Sequence, residues 1–438
     1  MIPRRRRFLG IAGATIAGSF LIPKFAHAQK KHRLTILQWN HFVPEFDRWF
    51  DQVFAKQWGD DNDTEVVIDR VGITSLNSRA QAEIQRGRGH DLFMFLRPPP
   101  TYEDFVIDHA EIYQELERYV GKPNEIGLKS TYNPVTKKYF GFSDSYVPDP
   151  INYRKDLWDD VGLFPDSWDN IREGGAAIYR KHNIPVGIGL APELDSNMAL
   201  RSLMHSFGAS VHDEDGRIVL NSPETVEAVK FMKSLYRDAM TEEVFSWDPS
   251  SNNRMMLAGH GSLTFNAISI TRTGESQKIP IADNILLAPA ARGPVRRIGS
   301  MHLMHAYVIW KFARNIDGAQ HFLVDYVRNF RDAFLASRFY NLPCFPATVP
   351  DIDALVAVDE AATPGNKYSV LSQADEWTTT IGYPGYANAV IDETFGDWVI
   401  SDMFSAVARD RSTPEESVKI ATKKADAIYS KWKAAGKV

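Results

Sequence analysis

Cysteine is nearly absent from this chain, and its scarcity limits how the fold can be stabilised. Cys344 is the only cysteine among 438 residues, so no intrachain disulfide can form, even in an oxidising compartment. Stability must therefore come from the burial of apolar side chains, and 44% of the residues are hydrophobic. A chain of this length has enough apolar material for two cores, and we expect two lobes.

An excess of positive charge is also missing, and long apolar runs are scarce. The formal net charge is −5, so the chain has no excess of basic residues of the kind that binds nucleic acid or anionic lipid. After residue 28, no uncharged stretch approaches the roughly 20 residues that a membrane-spanning helix needs. We therefore expect neither a nucleic-acid partner nor a membrane span, and we expect a monomer.

The motifs of the common enzyme classes are missing. The sequence contains no G-x-S-x-G, no Walker loop, no G-x-G-x-x-G and no H-E-x-x-H. His302 and His305 could supply two zinc ligands where a site usually has three, and the acidic turn at 213–216 lacks the spacing of a calcium loop. We expect no catalytic residue, no cofactor, no metal site and no enzymatic activity.

The start of the sequence has the pattern expected of an export signal. Four arginines at 4–7 precede an apolar run at 8–22, and Ala-His-Ala at 26–28 is a signal-peptidase pattern. Arg-Arg-Arg-Phe-Leu at 5–9 fits the twin-arginine type of signal. An uncleaved anchor is the alternative, but the apolar run is short for one. The sequence therefore predicts a cleavable twin-arginine-type signal peptide at 1–28 and a periplasmic protein.

Strands alternate with helices after the predicted signal. Strands are predicted at 33–39, 64–69 and 91–96, with an amphipathic helix at 46–54 and a shorter helix at 78–85. The third strand is almost entirely apolar, as in a parallel sheet that is covered on both faces. This order of elements predicts an α/β fold.

Two later segments begin with residue patterns that are typical of helix N-termini. Ser222 and Thr413 are each followed by proline and then glutamate. Serine and threonine cap helix N-termini, proline fits the first helical position, and a carboxylate in the first turn interacts favourably with the helix dipole. We therefore predict helices that begin at 223 and 414.

Six segments resemble, in the same order, segments of the extracellular solute-binding proteins of ABC importers, in the sugar-binding branch that includes maltose-binding protein. They are DLF at 91–93, TKKYFGF at 136–142, NYRKDLWDDVGL at 152–163, FPDSWD at 164–169, FGASVHDEDGRIVLNSPE at 207–224 and MLAGHGSL at 256–263. Each segment is a weak signal by itself, and their common order carries the resemblance. The chain departs from the family at Ser143, where proline is usual, and at 301–305, where glycines are usual.

The resemblance implies a two-lobed α/β periplasmic binding protein fold, type II-like, with discontinuous lobes joined by hinge crossovers. We expect crossovers near 143–147, 265–267 and 326–330. The predicted N-terminal lobe then comprises 29–145 plus 267–328, and the predicted C-terminal lobe comprises 146–266 plus 329–438.

The ligand is expected in the cleft between the lobes. In open α/β sheets the C-terminal ends of strands face the crevice, and a sugar site needs planar rings beside paired polar groups. On that reasoning the candidate ligand-binding residues are Trp39, Asn40, His41, Arg97, Asp144, Tyr146, Asp149, Phe265, Asn266, Met301, His302 and Trp377. Each has a structural alternative, because tryptophan commonly packs in cores, both aspartates fit a solvated turn, and His302 fits a buried structural histidine.

These features predict the substrate-binding component of an ABC importer, which captures a carbohydrate or polyol by hinge closure. Its partners would be a small-molecule ligand and the membrane permease. A cationic ligand such as a polyamine, held by Asp144 and Asp149 beside aromatic walls, is an alternative. A secreted glycan-active enzyme and a receptor-linked sensor also remain open, since one fold can serve several functions.

Overall fold

The computed structural model describes residues 30–438, so the predicted signal peptide at 1–28 lies outside the described residues. The strands are β1 (His32–Trp39), β2 (Thr64–Val71), β3 (Leu92–Phe95), β4 (Tyr132–Asn133), β5 (Lys138–Tyr139), β6 (Phe142–Val147), β7 (Ile151–Arg154), β8 (Leu263–Phe265), β9 (Ile285–Ala288), β10 (Gly299–Ser300), β11 (Leu303–Ile309), β12 (Leu342–Pro343) and β13 (Thr378–Thr379).

The α-helices connect and cover these strands. They are α1 (Pro44–Trp49), α2 (Ala55–Asp61), α3 (Leu76–Arg86), α4 (Ala110–Val120), α5 (Glu125–Thr131), α6 (Lys155–Val161), α7 (Trp168–His182), α8 (Leu194–Ser206), α9 (Pro223–Ala239), α10 (Ser251–Leu257), α11 (Ser269–Ser276), α12 (Ile316–Arg328), α13 (Phe330–Ala336), α14 (Ile352–Ala357), α15 (Ala374–Trp377), α16 (Ala389–Gly396), α17 (Val399–Ala408) and α18 (Pro414–Ala434). Among the residues that the structure describes, no helix is both long and apolar enough to cross a membrane.

A six-stranded sheet, here called the large sheet, forms the core of the N-terminal lobe. Its strand order is β12-β6-β11-β3-β1-β2. β1 pairs in parallel with β2 and β3, whereas β11 runs antiparallel to β3 and β6. β3 is buried along its whole length, as its apolar sequence predicts. The three strands predicted for this region are confirmed to within two residues.

A three-stranded sheet, here called the small sheet, belongs to the C-terminal lobe. Its order is β8-β7-β9, and β7 runs antiparallel to both neighbours. Helices α7, α9, α17 and α18 pack together in this lobe. The ring of Phe265 stacks on the Trp168 ring with their centroids 4.8 Å apart, so both side chains belong to the core of the lobe. The two sheets confirm the predicted two-lobed α/β architecture.

Strand pairing corrects two of the predicted crossovers. The first crossover, between β6 and β7, lies at 148–150, directly after the predicted 143–147. The second prediction, at 265–267, is wrong, because β9 still pairs with β7 in the small sheet and the chain returns to β11 only after residue 288. The third, at 326–330, is wrong because β12 pairs with β6 in the large sheet. The segment 267–288 therefore lies in the C-terminal lobe, although the N-terminal lobe was predicted. The segment 329–343 lies in the N-terminal lobe, although the C-terminal lobe was predicted.

Helix caps form where the sequence places them. The Ser222 hydroxyl accepts a hydrogen bond from the backbone N–H of Thr225 at 3.1 Å, and the Thr413 hydroxyl accepts one from Glu416 at 3.2 Å. α9 and α18 begin at the prolines that follow. The local pattern therefore determines both helix starts.

We predict that Ser222→Ala lowers the free energy of unfolding by about 1 kcal/mol, because it removes a side-chain cap from α9. Ser250→Ala is the matched control, since Ser250 precedes α10 without capping it through its side chain. Urea denaturation of both variants measures the difference. Equal effects of the two substitutions would contradict the assignment of the cap.

Candidate functional site

A cavity of about 340 Å³ lies between the two lobes. This volume falls within the range of ligand-binding clefts, about 300–1,000 Å³. One wall comes from the loops after β2 and β3, and the other comes from the C-terminal lobe. The lining residues, which define the cleft cavity, are Ile73, Thr74, Leu76, Asn77, Phe95, Leu96, Arg97, Pro192, Glu193, Leu194, Trp247, Asp248, Pro249, Phe395 and Trp398.

Strand topology places the first wall. β2 and β3 both run parallel to β1, so their C-terminal ends meet at one edge of the large sheet, where open α/β folds bind ligands. Arg97 follows β3 at this edge and lines the cavity, as the sequence predicts. The opposite wall contributes the aromatic rings of Trp247, Phe395 and Trp398. The cavity thus combines polar groups with planar apolar faces.

A buried cluster of ionisable groups adjoins the cavity, and we define it as the carboxylate cluster of Asp149, Glu193, Asp195 and His302. Nδ1 of His302 lies 3.1 Å from Asp149 Oδ1, and its Nε2 lies 3.7 Å from Asp195 Oδ1. Glu193, which also lines the cavity, caps α8 by accepting hydrogen bonds from the backbone N–H groups of Asp195 and Ser196. The crossover after β6, the start of α8 and the segment before β11 thus meet at one point.

Burial controls the ionisation of this cluster. It raises the pKa of Asp149, Glu193 and Asp195, because a low-dielectric interior disfavours the carboxylate. Burial would lower the pKa of His302, but the negative charges of Asp195 and Asp149 outweigh it and raise that pKa above 6.5. A charged imidazolium therefore neutralises part of the negative charge of the cluster.

Several buried polar atoms around the cluster have no hydrogen-bond partner among the described residues. They are Asp149 Oδ2, Asp195 Oδ1, the Tyr340 hydroxyl, Asn341 Nδ2 and Trp39 Nε1. Burial, with the nearby charges of Asp195 and Asp149, raises the pKa of Tyr340, so its hydroxyl stays protonated and can donate. Buried polar groups in proteins are normally satisfied, so this set of donors and acceptors marks a place for a polar partner.

His41 connects Trp39 to this region. Its Nε2 lies 3.0 Å from Asn341 Oδ1, and its ring lies 5.0 Å from the rings of Trp39 and Tyr340, between centroids. Burial lowers the pKa of His41 to about 4, so its imidazole is neutral at physiological pH. His41 therefore acts as an uncharged support that orients Asn341 rather than as a charged ligand group.

The lobes contact each other across the cleft through Asp392 of α16. Its carboxylate accepts from Arg97 Nε at 2.9 Å and from the Thr101 hydroxyl at 2.5 Å, and both donors follow β3 in the N-terminal lobe. Asp392 is buried. The structure therefore has a charged contact that joins the lobes beside the cavity.

Five of the predicted site residues lie in or beside this region. Arg97 lines the cavity, Asp149 and His302 belong to the carboxylate cluster, and Trp39 and His41 adjoin Tyr340 and Asn341. The remaining predicted residues near the lobe junction make mainly structural contacts. Met301 donates its backbone N–H to Thr379, Asn266 donates to Asn253, and Trp377 is a buried ring beside Gly299 with an unpartnered Nε1.

Four predicted residues lie elsewhere. Asn40 is exposed, and Phe265 packs on Trp168 inside the C-terminal lobe. Tyr146 pairs with β11 and β12 within the large sheet. Asp144 is buried in the same lobe, where it accepts a hydrogen bond from the Ser145 hydroxyl at 2.8 Å, and burial raises its pKa to about 7. The structure does not bring these four side chains to the cavity.

The sequence interpretation missed Glu193, Asp195, Tyr340 and the aromatic wall of Trp247, Phe395 and Trp398. Glu193 and Asp195 follow Pro192 at the start of α8, and an acidic pair at a helix start is a recognisable signal. Phe395 and Trp398 lie three residues apart at the end of α16, whereas Trp247 comes from a distant loop, so no local pattern joins Trp247 to the other two. Among residues 30–438, no group of three or more histidine, cysteine or acidic side chains is arranged to hold a metal ion.

Comparisons with known proteins agree with this architecture. A family model described as "Bacterial extracellular solute-binding protein" matches residues 43–323. A curated protein of Brucella abortus (strain 2308), named as a binding protein, is 22% identical over 186 residues, which cover 42% of this chain and 45% of that protein. The match thus spans less than half the length of this curated relative.

Solved structures are similar over nearly the whole chain. Maltose-bound MalE3 of T. maritima has a TM-score of 0.73 at 19% identity, covering 90% of this chain and 99% of that chain. A solute-binding protein of Thermotoga lettingae TMO with bound α-D-tagatose has a TM-score of 0.73 at 15% identity, with 91% and 99% coverage. A solute-binding protein of Agrobacterium radiobacter K84 in complex with ribitol has a TM-score of 0.72 at 14% identity, again with 91% and 99% coverage. At these identities the likeness shows the fold.

We predict that His302 gives the stability of the protein a specific pH dependence. Because its folded-state pKa is raised, the stabilisation by His302 is complete below about pH 6.5 and is lost as the pH rises through the folded-state value. The difference in unfolding free energy between the wild type and His302→Gln should therefore shrink as the pH rises from about 6 to 9. Urea denaturation across this range measures it.

His260→Gln is the control, because His260 is exposed. Its unfolding free energy should follow that of the wild type at each pH. A difference between wild type and His302→Gln that stays constant with pH would contradict the charged state of His302.

Proposed function

The chain belongs to the family of bacterial extracellular solute-binding proteins, and on that basis we propose that it captures a carbohydrate or a polyol between its lobes. In this proposal the protein is exported by its twin-arginine-type signal and works in the periplasm. It delivers the solute to the membrane permease of an ABC importer and acts as a binding protein without enzymatic activity.

The unpartnered polar atoms beside the carboxylate cluster carry this proposal. They include acceptors, on Asp149 and Asp195, and donors, on Trp39, Tyr340 and Asn341. A sugar hydroxyl both donates and accepts, so a polyhydroxylated ligand satisfies such a mixed set. Leaving these groups buried without partners costs free energy, and a bound polyol removes that cost.

The aromatic wall supports the same class of ligand. Trp247, Phe395 and Trp398 line the cavity beside the carboxylate Glu193. Pyranose rings and extended polyols present apolar C–H surfaces between their hydroxyls, and planar side chains cover these surfaces. The solved relatives of the same fold that carry maltose, tagatose or ribitol are consistent with this choice.

Hinge closure provides the mechanism. The solute first meets one lobe in an open form, and the second lobe then completes the contacts. Since both sets of contacts exist only when the lobes meet, the solute shifts the population toward the closed form. The pairing of Arg97 with Asp392 across the cleft supports this mechanism, since a contact of this kind can hold the lobes together.

The structure argues against the polyamine alternative. That alternative relied on Asp144 and Asp149 as two free carboxylates. Asp144 is buried within the N-terminal lobe, and Asp149 is paired with His302. The two carboxylates on which that alternative relied are therefore not both free to meet a cationic ligand.

We predict that a cognate sugar or polyol closes and stabilises the protein. Small-angle scattering should show a smaller radius of gyration with ligand than without, if the ligand-free protein samples open forms. At a free-ligand concentration of about 100 times the dissociation constant, binding should add roughly 2.7 kcal/mol to the unfolding free energy. Absence of a thermal shift with every sugar and polyol in a broad screen would contradict the proposal.

We further predict that Tyr340→Phe weakens solute binding by about tenfold, because it removes one hydrogen-bond donor from the site. The ligand-free stability should change little, since the hydroxyl has no hydrogen-bond partner among residues 30–438. Tyr326→Phe is the matched control, because Tyr326 is equally buried but packs against Phe50 and Phe54 in the N-terminal lobe. Titration calorimetry with the sugar found in the screen measures both variants, and equal affinities would contradict the assigned site.

A further inference from the structure

Arg201 occupies an unusual position in α8. Only 1% of its side chain is exposed. α8 begins at the cavity wall, where Glu193 and Leu194 line the cleft cavity. Long side chains on a helix lean toward its N-terminus, so the guanidinium of Arg201 points back toward that wall.

The guanidinium of Arg201 has few partners. Its Nη1 donates to the backbone carbonyl of Ile381 at 3.2 Å, whereas Nε and Nη2 have no hydrogen-bond partner in the part of the chain that the structure describes. No acidic side chain within residues 30–438 forms a salt bridge with it. An arginine cannot lose its proton at physiological pH, so this side chain is a buried positive charge without a counter-ion.

Other buried arginines of the protein are paired. Arg272, 2% exposed, contacts Glu275 at 2.9 Å and Asp359 at 2.6 Å. Arg154 binds the two carboxylate oxygens of Asp156 through Nε at 2.8 Å and Nη2 at 2.6 Å. In Arg201 this same edge, Nε with Nη2, is unoccupied by protein groups. Its geometry suits a planar or tetrahedral anion.

The charges around Arg201 do not compensate it. Arg97 adds positive charge, and burial together with Arg97 lowers the pKa of Arg201 to about 10. Burial lowers the pKa of the nearby His205 to about 3 and that of His212 to about 4, so both imidazoles are neutral. Nδ1 of each ring donates to a backbone carbonyl, so the unpartnered Nε2 is an acceptor without charge. Asp392, which approaches from α16, is already bound to Arg97. These neighbours therefore supply no free counter-charge to Arg201.

Arg201 is close to the cleft cavity. Its guanidinium carbon lies 5.4 Å from the centre of the Phe395 ring, and that of Arg97 lies 5.2 Å from the same ring. Both Arg97 and Phe395 line the cavity. Arg201 and the cavity-lining Arg97 thus contact the same ring, which places Arg201 directly behind the cavity wall at Phe395.

We propose that the solute carries an anionic group, and that Nε and Nη2 of Arg201 bind this group as the lobes close. This inference rests on the proposed capture of a carbohydrate or polyol and narrows the solute to its acidic derivatives. A carboxylate, a phosphate and a sulfate share the required chemistry, since each offers two oxygens to the guanidinium edge. Sugar acids, sugar phosphates and sulfated sugars are the corresponding classes.

Matched pairs of ligands test the proposal on the full mature protein. Titration calorimetry compares D-galacturonate with D-galactose, digalacturonate with galactobiose, and glucose 6-phosphate and glucose 6-sulfate with D-glucose. We expect at least one acidic member to bind about thirtyfold or more tightly than its neutral counterpart. The preferred acid identifies the anion. If a neutral sugar binds as tightly as its acidic forms, the inference is overturned and the proposed function is not. If none of the neutral and acidic compounds binds, the result contradicts the proposed function itself.

Arg201→Met separates a ligand role from a structural one. Methionine keeps apolar contact with Phe395 but removes the charge, so the variant should lose the preference for the acidic ligand by about thirtyfold or more. Its ligand-free melting temperature should not fall, because no ion pair is broken. Arg201→Lys keeps the charge but not the two-nitrogen edge and should recover the preference only partly.

Arg172→Met is the control, since Arg172 pairs with Asp238 at the surface of the same lobe. It should bind acidic and neutral ligands as the wild type does. A lower melting temperature of Arg201→Met with an unchanged preference for the acidic ligand would show that Arg201 only supports the fold, and would overturn the inference.

Discussion

The structure depends on one constraint, which is that a polar group taken out of water must find a partner. Most buried polar groups of this protein meet it within the chain, as Arg154 does with both carboxylate oxygens of Asp156. Among the described residues the exceptions are spread over both lobes, and some of them, such as the indole N–H groups of Trp168 and Trp310, lie in the cores. The exceptions on Asp195, Tyr340 and Arg201 are those that we propose are available to a solute.

Local patterns in the sequence were sufficient for the strands β1, β2 and β3 and for the starts of α9 and α18. The apolar run of β3 and the caps at Ser222 and Thr413 are determined by residues within or next to each element. The positions of these elements could therefore be predicted from the sequence. The crossovers depend on pairing between distant strands. β9 is a four-residue run, and nothing in its sequence indicates that it pairs with β7 rather than with the large sheet.

The candidate site was predictable to the extent that it follows strand ends. Arg97 and Trp39 lie at or near the C-terminal ends of parallel strands, and topology alone points to them. Phe265 also lies at a strand end, but its ring turns into the core and stacks on Trp168. Strand direction fixes where a residue lies, whereas the side it faces depends on neighbours that only the folded chain supplies. Asp195 lies at a helix start and Tyr340 lies in a loop. Both became candidates only because the folded chain buries their polar atoms.

The contact of Asp392 with Arg97 and Thr101 affects how much energy is consumed for each solute molecule imported. It joins the lobes without any solute group, so an empty molecule can take up the same outline as a loaded one. If the permease recognises that outline, empty copies compete with loaded ones and trigger unproductive cycles of nucleotide hydrolysis. A stronger latch would hold a bound solute more tightly but would also close more empty copies, so the strength of this carboxylate contact contributes to the ratio of solute imported to energy consumed.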